Sequence, residues 1–383
     1  MTHYLICDLN IQKKGHYIGY NQYIINGIAK IKGSTDRRYT FLYNEEAKDF
    51  LSFPDILKDD VHFLNDNCWS NVSMKDKIRL FKKAVTIANE LNVDHLIFMD
   101  LDQYQFPIFR SAFSFKLSGV LFRPHHRITH SSDTFKSKLA SRIQRFKKII
   151  AEKFLISKKN VENVFILNDE EGVKFLNKFH NTNQFKFLQD PIFSYPSSLK
   201  SYEEDGVVKF LIFGSMNERK NITTIVNAFA ATNFTTKAEL LIVGHAEQSY
   251  LTYLHDLVNN LPGIHRDKRI TIKSGFVTDE EMDNYFHSAT VCLLIYKDFY
   301  GSSGLLGRAA LHNKKVIGAN VGLLKELIEK NGLGITCDPK SETEISKALV
   351  EILNKDFSSE NFQRFFETYS PETFFKTLLQ LRV

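Results

Sequence analysis

Residues 297–320 read KDFYGSSGLLGRAALHNKKVIGAN, and this stretch decides the fold class. The apolar run LLIY precedes it, a Gly/Ser turn opens a helical pattern, and Val316 and Ile317 begin a second apolar run. The order strand, turn, helix, strand is typical of a parallel α/β unit. The turn at 301–304 presents consecutive backbone N–H groups at the positive end of the predicted helix dipole, which favours a phosphate site. A loop that merely caps a helix explains the turn equally well when it is taken alone.

The same alternation of short apolar strands and helical patterns continues through both halves of the chain. Strands are predicted at HYLICDLN, HLIFMDL, SGVLFRP, NVFILN, KFLIFGS, AELLIVG, ITIKSGF, VCLLIY, KVIGA and GITCD. Helices are predicted near residues 17–31, 75–91, 134–155, 169–179, 220–231, 247–260, 279–288, 304–313, 322–330 and 341–354. We therefore predict an α/β protein with two Rossmann-like, doubly wound parallel-sheet domains that face a cleft.

The length of 383 residues also favours two domains. SYPSSLKSYEEDG is rich in Ser, Pro and charged residues, as linkers between domains are. The predicted boundaries are an N-terminal domain at 1–192, a linker at 193–206 and a C-terminal domain at 207–358. A C-terminal helix at 359–383 is predicted to cross back to the first domain.

Composition excludes several classes of protein. No run reaches the eighteen or so apolar residues of a membrane span, and MTHYLICDLN lacks the features of a signal peptide, so we expect a cytoplasmic protein. The four cysteines (Cys7, Cys68, Cys292 and Cys337) lie far apart, which favours buried thiols over disulfides or a zinc site. Asp100 and Asp102 are the nearest approach to a metal-binding pair, and we expect no metal.

A basic segment stands out from the mild net charge of +6. Between Lys116 and Lys159 there are twelve basic residues and two acidic ones. Within it, residues 135–159 space apolar side chains at helical intervals. One interpretation is a surface helix whose apolar face packs on the domain core. The other is an amphipathic helix that lies on an anionic membrane surface, which would make the protein peripheral at the inner face of the cell membrane. Because no aromatic stacking motif accompanies the charge, nucleic acid is not expected as a partner.

Further turns follow predicted strands and are expected at the same edge of the second sheet. FGSMNERKN places Gly214 and Ser215 after a strand, with Arg219 and Lys220 before the next helix, where two cations suit a diphosphate. LLIVGHAEQ gives Gly244 the same location, and IKSGFVTDEE does so for Gly275 and Val277. Asp279 and Glu280 are read as charges that complement a helix dipole rather than as catalytic groups.

These segments, in this order, resemble the retaining GT-B glycosyltransferases of family four. FGSMNERKNI resembles the family's glycine strand end and lysine helix start, with Lys220 in the lysine position. LLIVGHA and IKSGFVTDEEMDNYFHSATVCLLIY resemble its second and third strands, and ANVGLLKELIEKNGLGITCDPKSETEISKALVEIL resembles its closing segment, including Glu326. The resemblance is specific from about Val207 to Leu353. In the first half it rests on the Gly15 turn, on His125 and His126, and on LQDPI.

The resemblance implies transfer of a sugar from a UDP or GDP type of nucleotide sugar, with retained configuration and no permanently bound cofactor. The donor would bind the second domain and a saccharide or lipid-linked acceptor the first. The diphosphate would be held by Lys220 and by the turn amides of Ser302, Ser303, Gly304, Leu305 and Leu306. Ser215 stands where the family has an arginine, so Arg219 or Arg308 would supply that charge.

This chain departs from the family's Glu-x7-Glu pair. Tyr300 stands at the position of the first carboxylate, which contacts the donor sugar, and Arg308 stands at the second, which contacts the ribose. Asp298 is near enough to substitute if the loop is shifted. Retaining transfer in this fold is thought to need little from protein acids, because the leaving diphosphate can take the acceptor proton. Phosphate contacts and positioning would then carry the reaction.

Candidates for contact with the sugar or the acceptor lie mainly in the first domain. His125 and His126 are predicted to end a strand and, with Tyr300, form the predicted catalytic set, although a loop role for the histidines is also open. Gly15 and His16 resemble the family's glycine turn on the acceptor side. The leading hypothesis is a glycosyltransferase of bacterial surface polysaccharide or glycolipid synthesis. The alternative is an inactive GT-B protein that binds nucleotide or a partner glycosyltransferase.

Overall fold

The structure is a computed structural model that describes residues 1–11, 17–65, 73–128, 135–193, 206–262, 264, 267–299 and 301–381. The chain forms two compact units. The first contains the described residues up to Ile128, those from residue 135 to Pro191, and the segment that begins at Pro371. The second contains the described residues between Ile192 and Ser370. The predicted domain boundaries remain predictions.

The first unit is built on a parallel sheet with helices between its strands. Its strands are β1 (Thr2–Asp8), β2 (Arg37–Asn44), β3 (Val61–Leu64), β4 (His95–Phe98), β5 (Lys116–Leu121), β6 (Val161–Leu167) and β7 (Phe185–Leu188). Its helices up to β7 are α1 (Tyr17–Ile31), α2 (Met74–Glu90), α3 (Gln105–Arg110), α4 (Phe135–Ile156) and α5 (Glu170–His180). The strand order is β3-β2-β1-β4-β5-β6-β7. All residues of β4 are buried, as expected for a parallel strand covered on both faces.

The second unit repeats this architecture. Its strands are β8 (Val207–Phe213), β9 (Lys237–Gly244), β10 (Lys268–Ser274), β11 (Val291–Leu294), β12 (Lys315–Ala319) and β13 (Gly334–Cys337). Its helices are α6 (Ile222–Ala231), α7 (Gln248–Asn259), α8 (Asp279–Ser288), α9 (Gly304–Leu311), α10 (Gly322–Lys330), α11 (Glu342–Glu351) and α12 (Ser359–Thr368). The strand order β10-β9-β8-β11-β12-β13 places β8 beside β11. The order of strands reverses there, which is where open α/β sheets bind ligands.

The C-terminal tail forms two helices, where the sequence predicts one. Helix α12 packs on α9 in the second unit, whereas α13 (Pro371–Leu378) packs on α1 in the first. The Phe374 ring lies 5.1 Å from the Tyr20 ring, and Phe374 is fully buried. The last helix therefore completes the core of the unit that begins the chain.

The predicted fold class is confirmed: both sheets are parallel and the elements alternate as the sequence indicates. The boundaries of the ten helices predicted before residue 359 lie within three residues of those observed. Strands β2, β3 and β7 and helix α3 were not predicted, because short apolar runs do not by themselves distinguish strand from helix. Cys7, Cys292 and Cys337 are buried free thiols, whereas Cys68 lies outside the described residues. No helix of the described ranges combines the length and apolar character that a bilayer span requires.

Candidate functional site

Two glycine turns, one after β8 and one at the end of β9, lie in close contact. Gly214 adopts φ +102° and Gly244 adopts φ +143°, which are conformations that favour glycine. The amide of Gly214 donates to the carbonyl of Val243 at 2.9 Å, and a Cβ atom on Gly244 would lie 2.1 Å from the carbonyl oxygen of Gly214. Gly244 is therefore required by the close approach of the two turns at the carboxyl edge of the sheet, whereas Gly214 is favoured by its backbone conformation. Ser215 follows Gly214 and is exposed.

Lys220 is a buried cation at this edge. Its Nζ donates to the carbonyl oxygen of Phe213 at 2.7 Å and to the Tyr296 hydroxyl at 3.2 Å, and it lies 4.5 Å from the centre of the Tyr296 ring. Burial, followed by repulsion from neighbouring Arg219, lowers the pKa of Lys220 to about 7. No carboxylate among the described residues pairs with this ammonium group. An anion that binds here would therefore stabilise the charged lysine.

Tyr296 links the lysine to the Gly/Ser turn. It follows β11 and is buried, and its hydroxyl lies 3.2 Å from Ser303 Oγ. Burial raises its pKa, so the phenol stays protonated at neutral pH. If Lys220 donates to the tyrosine oxygen and the tyrosine donates to Ser303, the Ser303 hydroxyl proton is left to donate elsewhere. Sequence reasoning did not identify Tyr296, although its place at the end of the VCLLIY strand marks the sheet edge.

Helix α9 begins at this point. Ser303 is its N-cap residue, adopts φ +61° and makes no side-chain capping bond. The Leu306 amide donates to the Ser303 carbonyl at 2.9 Å, and Leu305 Cδ1 lies 4.0 Å from where a Cβ atom of Gly214 would be. The predicted phosphate turn and the Gly214 turn thus lie together. Positive φ outside glycine is uncommon and clusters at functional sites.

Arg219 adds a second positive charge to the site. Its guanidinium lies 5.2 Å from the centre of the Phe299 ring and 5.8 Å from that of Tyr296, and the side chain is exposed. It makes no ion pair with a carboxylate of the described residues. Arg219 thus lies beside Lys220, and neither charge is paired with a carboxylate within the described part of the second unit.

Arg308 has a different environment from the predicted one. It is buried, and its Nη1 donates to Asp283 Oδ1 on α8 at 2.8 Å, while Nη2 lies 3.9 Å from exposed Asp279. His312 Nε2 lies 3.2 Å from the same Asp283 oxygen. A buried carboxylate already balances Arg308, so the geometry favours a role in joining α8 to α9. Contact with the donor remains a prediction.

Three other residues predicted to bind the donor lie in neighbouring loops and helices of the second unit. Ser302 is buried and Val277 is half-buried in the loop after β10. Glu326 is exposed on α10, which begins at Gly322. A Cβ atom on Gly322 would lie 3.6 Å from the carbonyl oxygen of Phe299, so the start of α10 is close to the loop of the site. Tyr300 lies outside the described residues.

In the first unit, His125 and His126 do not end the strand as predicted. Strand β5 ends at Leu121, and the two histidines form a short 3-10 turn after Pro124, which has no N–H for a ladder bond. His125 is fully buried, and its Nδ1 lies 2.5 Å from Glu152 Oε2 on α4. His126 Nε2 lies 2.8 Å from Asp169 Oδ2. This burial and pairing favour the loop role that the sequence left open. Gly15 and His16 lie outside the described residues.

Glu152 and His180, which sequence reasoning missed, complete a cluster with His125. His180 Nε2 lies 3.0 Å from the same Glu152 oxygen, and the three ligand atoms lie within 4.8 Å of one another. Although burial alone would raise it, hydrogen bonds from the two histidines hold the pKa of Glu152 at about 2. A carboxylate between two imidazoles at hydrogen-bond distances ties α4 to α5, and needs no metal to explain it.

A buried acidic pair also lies at the carboxyl edge of the first sheet. Asp8 is the last residue of β1 and accepts from Asn21 Nδ2 at 2.8 Å, and burial raises the pKa of Asp8 to about 7. Burial also raises the pKa of Asp100 to about 6. Asp102 accepts from Lys148 Nζ at 2.6 Å. Lys148 therefore pairs with Asp102, and the Asp102 amide donates to Asp100 Oδ1 at 2.9 Å.

Comparison with known proteins defines the class. Residues 208–355, which lie within the second unit, match the family described as Glycosyl transferases group 1. Together with the two parallel-sheet units of the GT-B fold, this match makes the chain a glycosyltransferase. No curated protein matches the sequence.

Solved structures share the fold over the whole chain. Sucrose-phosphate synthase (tll1590) from Thermosynechococcus elongatus is 15% identical with a TM-score of 0.70, covering 100% of this chain and 98% of that one. WaaG, a glycosyltransferase involved in lipopolysaccharide biosynthesis, is 13% identical with a TM-score of 0.62 and 98% coverage of both chains. Anabaena Alr3699/HepE, in complex with UDP and glucose, is 12% identical with a TM-score of 0.59 and 99% coverage of both.

Proposed function

We propose that this protein transfers a sugar, with retention of configuration, from a nucleoside diphosphate sugar to a saccharide or lipid-linked saccharide acceptor. One observation carries the proposal. Arg219 and Lys220 are adjacent cations without a carboxylate partner among the described residues, and they lie at the switch point of the second sheet. A buried cation without a counter-ion, such as Lys220, is costly, and a diphosphate would balance the charges of both Lys220 and Arg219.

The neighbouring groups suit the same ligand. Ser303 precedes α9 and makes no capping bond with its own side chain, so the amides of Gly304 and Leu305 are available to phosphate oxygens. The Leu306 amide already donates to the Ser303 carbonyl. Arg308 is less suited to the diphosphate than Arg219, because Asp283 already neutralises the Arg308 guanidinium. Arg219 therefore takes the role that the sequence divided between Arg219 and Arg308.

The protein's contribution to the reaction would be electrostatic. As the bond between sugar and diphosphate breaks, negative charge grows on the leaving phosphate, where Lys220, Arg219 and the Ser303 hydroxyl converge. Preorganised donors of this kind stabilise a transition state without reorganisation. The leaving phosphate would then accept the acceptor proton, so the missing Glu-x7-Glu pair does not prevent turnover.

UDP is the first nucleotide to test. HepE is described in complexes with UDP and UDP-glucose, and the GDP alternative from the sequence stays in the test. WaaG and WaaB are described as lipopolysaccharide glycosyltransferases, which supports an acceptor in the synthesis of bacterial surface polysaccharide or glycolipid.

Calorimetric titration with UDP and GDP tests the proposal. We expect one nucleotide to bind the wild-type chain, and Lys220→Met and Arg219→Gln each to weaken it by about tenfold or more, as for loss of a hydrogen bond to a charged group. Lys237→Met is the control, because Lys237 is exposed at the opposite end of β9. Absence of binding to either nucleotide, or equal affinity in all four proteins, would overturn the proposal.

An inactive nucleotide-binding protein is the second candidate, and the replacement of both glutamates by Tyr300 and Arg308 favours it. The two candidates differ in turnover. Release of nucleoside diphosphate from a screen of nucleotide sugars and saccharide acceptors supports the transferase. Tight nucleotide binding with no release in that screen supports the inactive protein.

A further inference from the structure

Helix α4 carries its apolar stripe on the outside of the first unit. The stripe consists of Leu139, Ile143, Phe146 and Ile150, which are 47%, 47%, 63% and 37% exposed. At about 100° per residue these four side chains fall within about 60° of one another on the helix. The interpretation that this apolar face packs on the domain core is therefore wrong for these four side chains.

The opposite face of α4 attaches the helix to the unit. Glu152 and Leu155 are fully buried, and Lys148 pairs with Asp102 at 2.6 Å. From Lys138 to Lys147 every residue except Ser141 is exposed. The N-terminal half of the helix thus projects from the body of the unit, and its apolar stripe points away from the attached face.

Basic residues line the two sides of the stripe. Arg142 lies on one side and Lys147 on the other, each about 70° from its centre. Lys138 and Arg145 add positive charge, and the helix has no acidic residue before Glu152. Apolar side chains flanked by long basic ones, which can extend their charges to headgroups, form the usual pattern of a helix that lies in a membrane interface.

We infer that α4 docks the protein on the surface of an anionic lipid bilayer, with the stripe inserted at the boundary between headgroups and acyl chains. Burial of the apolar stripe and attraction of the flanking basic residues to anionic headgroups both contribute favourable free energy of binding. The sum suffices for reversible binding. A second copy of the chain fits the surface less well, because a symmetric contact between two stripes would bring like charges together.

Membrane docking is independent of the sugar chemistry, because it needs no nucleotide. It would bring the enzyme to a lipid-linked acceptor if the proposed function holds. Failure of nucleotide binding and failure of vesicle binding are separate results from separate measurements.

Co-sedimentation with vesicles tests the inference. We expect the wild-type chain to bind phosphatidylcholine vesicles that contain 30% phosphatidylglycerol, and to bind pure phosphatidylcholine at least tenfold more weakly. Binding should weaken as salt increases, since the headgroup attraction is screened. Two triple variants separate the contributions: Leu139→Gln/Ile143→Gln/Phe146→Gln removes the stripe, and Arg142→Gln/Arg145→Gln/Lys147→Gln removes the flanking charge. Each should lose at least tenfold in affinity.

Ile56→Gln is the matched control, because Ile56 is a 53% exposed apolar residue of the same unit. It should bind vesicles as the wild type does. The changed residues are exposed, so circular dichroism and melting temperature should be unaltered. Three results would overturn the inference: no binding to anionic vesicles, equal binding by the stripe variant, or a wild-type dimer that the stripe variant converts to monomer.

Discussion

Lys220 places a positive charge in the interior of the second unit, and no carboxylate of its described residues balances it. Its pKa falls from 10.5 to about 7 because burial penalises the charged form. The unfolded chain therefore binds more protons than the folded chain between these two pH values, and stability rises with pH across that window. The destabilising effect is fully present below pH 7 and disappears as the pH approaches 10.5.

Lys220→Met should remove this pH dependence. We expect the melting temperature of the wild-type chain to rise between pH 7 and pH 9.5 by a few degrees more than that of Lys220→Met, since about 1 kcal/mol corresponds to about 2–4 °C in domains of this size. Differential scanning calorimetry of the ligand-free proteins measures the difference, with Lys237→Met as the control. Parallel changes in wild type and Lys220→Met would show that the lysine is not the responsible group.

The hydroxyl of Tyr296 is the second single group with a predicted effect. Tyr296→Phe keeps the ring beside Lys220 and removes the link to Ser303. We expect nucleotide affinity to fall by about tenfold, as for loss of a hydrogen bond to a charged group. Ser303→Ala should weaken binding too, and the double variant should lose less than the two single losses combined, because both remove one hydrogen-bond chain.

Tyr253→Phe, at a 46% exposed tyrosine of the same unit, is the control for that measurement. Strictly additive losses for Tyr296→Phe and Ser303→Ala would argue against the chain of hydrogen bonds. Unchanged affinity in Tyr296→Phe would argue against any role of the hydroxyl in binding.

At the scale of an element, the position of α9 depends on a glycine inside the helix. A Cβ atom on Gly307 would lie 2.6 Å from Ile192 Cγ1, which is closer than carbon atoms approach, whereas nothing lies within 4 Å of a Cβ atom on Gly304. Helix propensity alone would make alanine better than glycine at an interior helix position by about 1 kcal/mol. Packing therefore overrides propensity at Gly307.

Gly307→Ala should lower the free energy of unfolding by about 1–3 kcal/mol, the usual cost of overpacking. Gly304→Ala should leave it equal or higher. Chemical denaturation of both variants measures the contrast, and Gly307→Ala/Ile192→Val should recover part of the loss by making room. A Gly307→Ala protein as stable as wild type would show that Ile192 moves aside at no cost.

At the scale of the whole molecule, the chain returns to its first unit after completing its second. Phe374 and Leu378 on α13 are fully buried in that unit, and Arg37 Nη1 donates to the Leu379 carbonyl at 2.6 Å. The stability of the first unit therefore depends on residues near the end of the sequence.

Phe374→Ala should destabilise the first unit by about 3–5 kcal/mol, the usual effect of truncating a buried Phe. Hydrogen exchange followed by mass spectrometry should show faster exchange in α1 and β7 and unchanged exchange in β8 and β9. The control is Val350→Ala, at an exposed residue of α11. Equal acceleration in both units, or none in α1, would contradict the prediction.

Local patterns were sufficient for most of the fold. Helix α8 (Asp279–Ser288) was predicted with its observed boundaries, because Asp279 and Glu280 are charges typical of a helix start. The structure adds a capping box between Thr278 and Glu281. Strand β2 was missed, because its burial depends on the neighbours β1 and β3, which are far away in sequence.

The sequence by itself determined the alternation of strands and helices, the glycine turns at the sheet edge and the two neighbouring cations, since these follow from local periodicity and spacing. The tertiary structure alone decided two contacts and the orientation of one helix. Lys220 meets Tyr296 because β8 and β11 are adjacent, Arg308 meets Asp283 because α8 packs on α9, and the stripe of α4 faces outward because Glu152 and Leu155 attach the other face. Each depends on which distant elements become neighbours, and short-range sequence patterns do not contain that information.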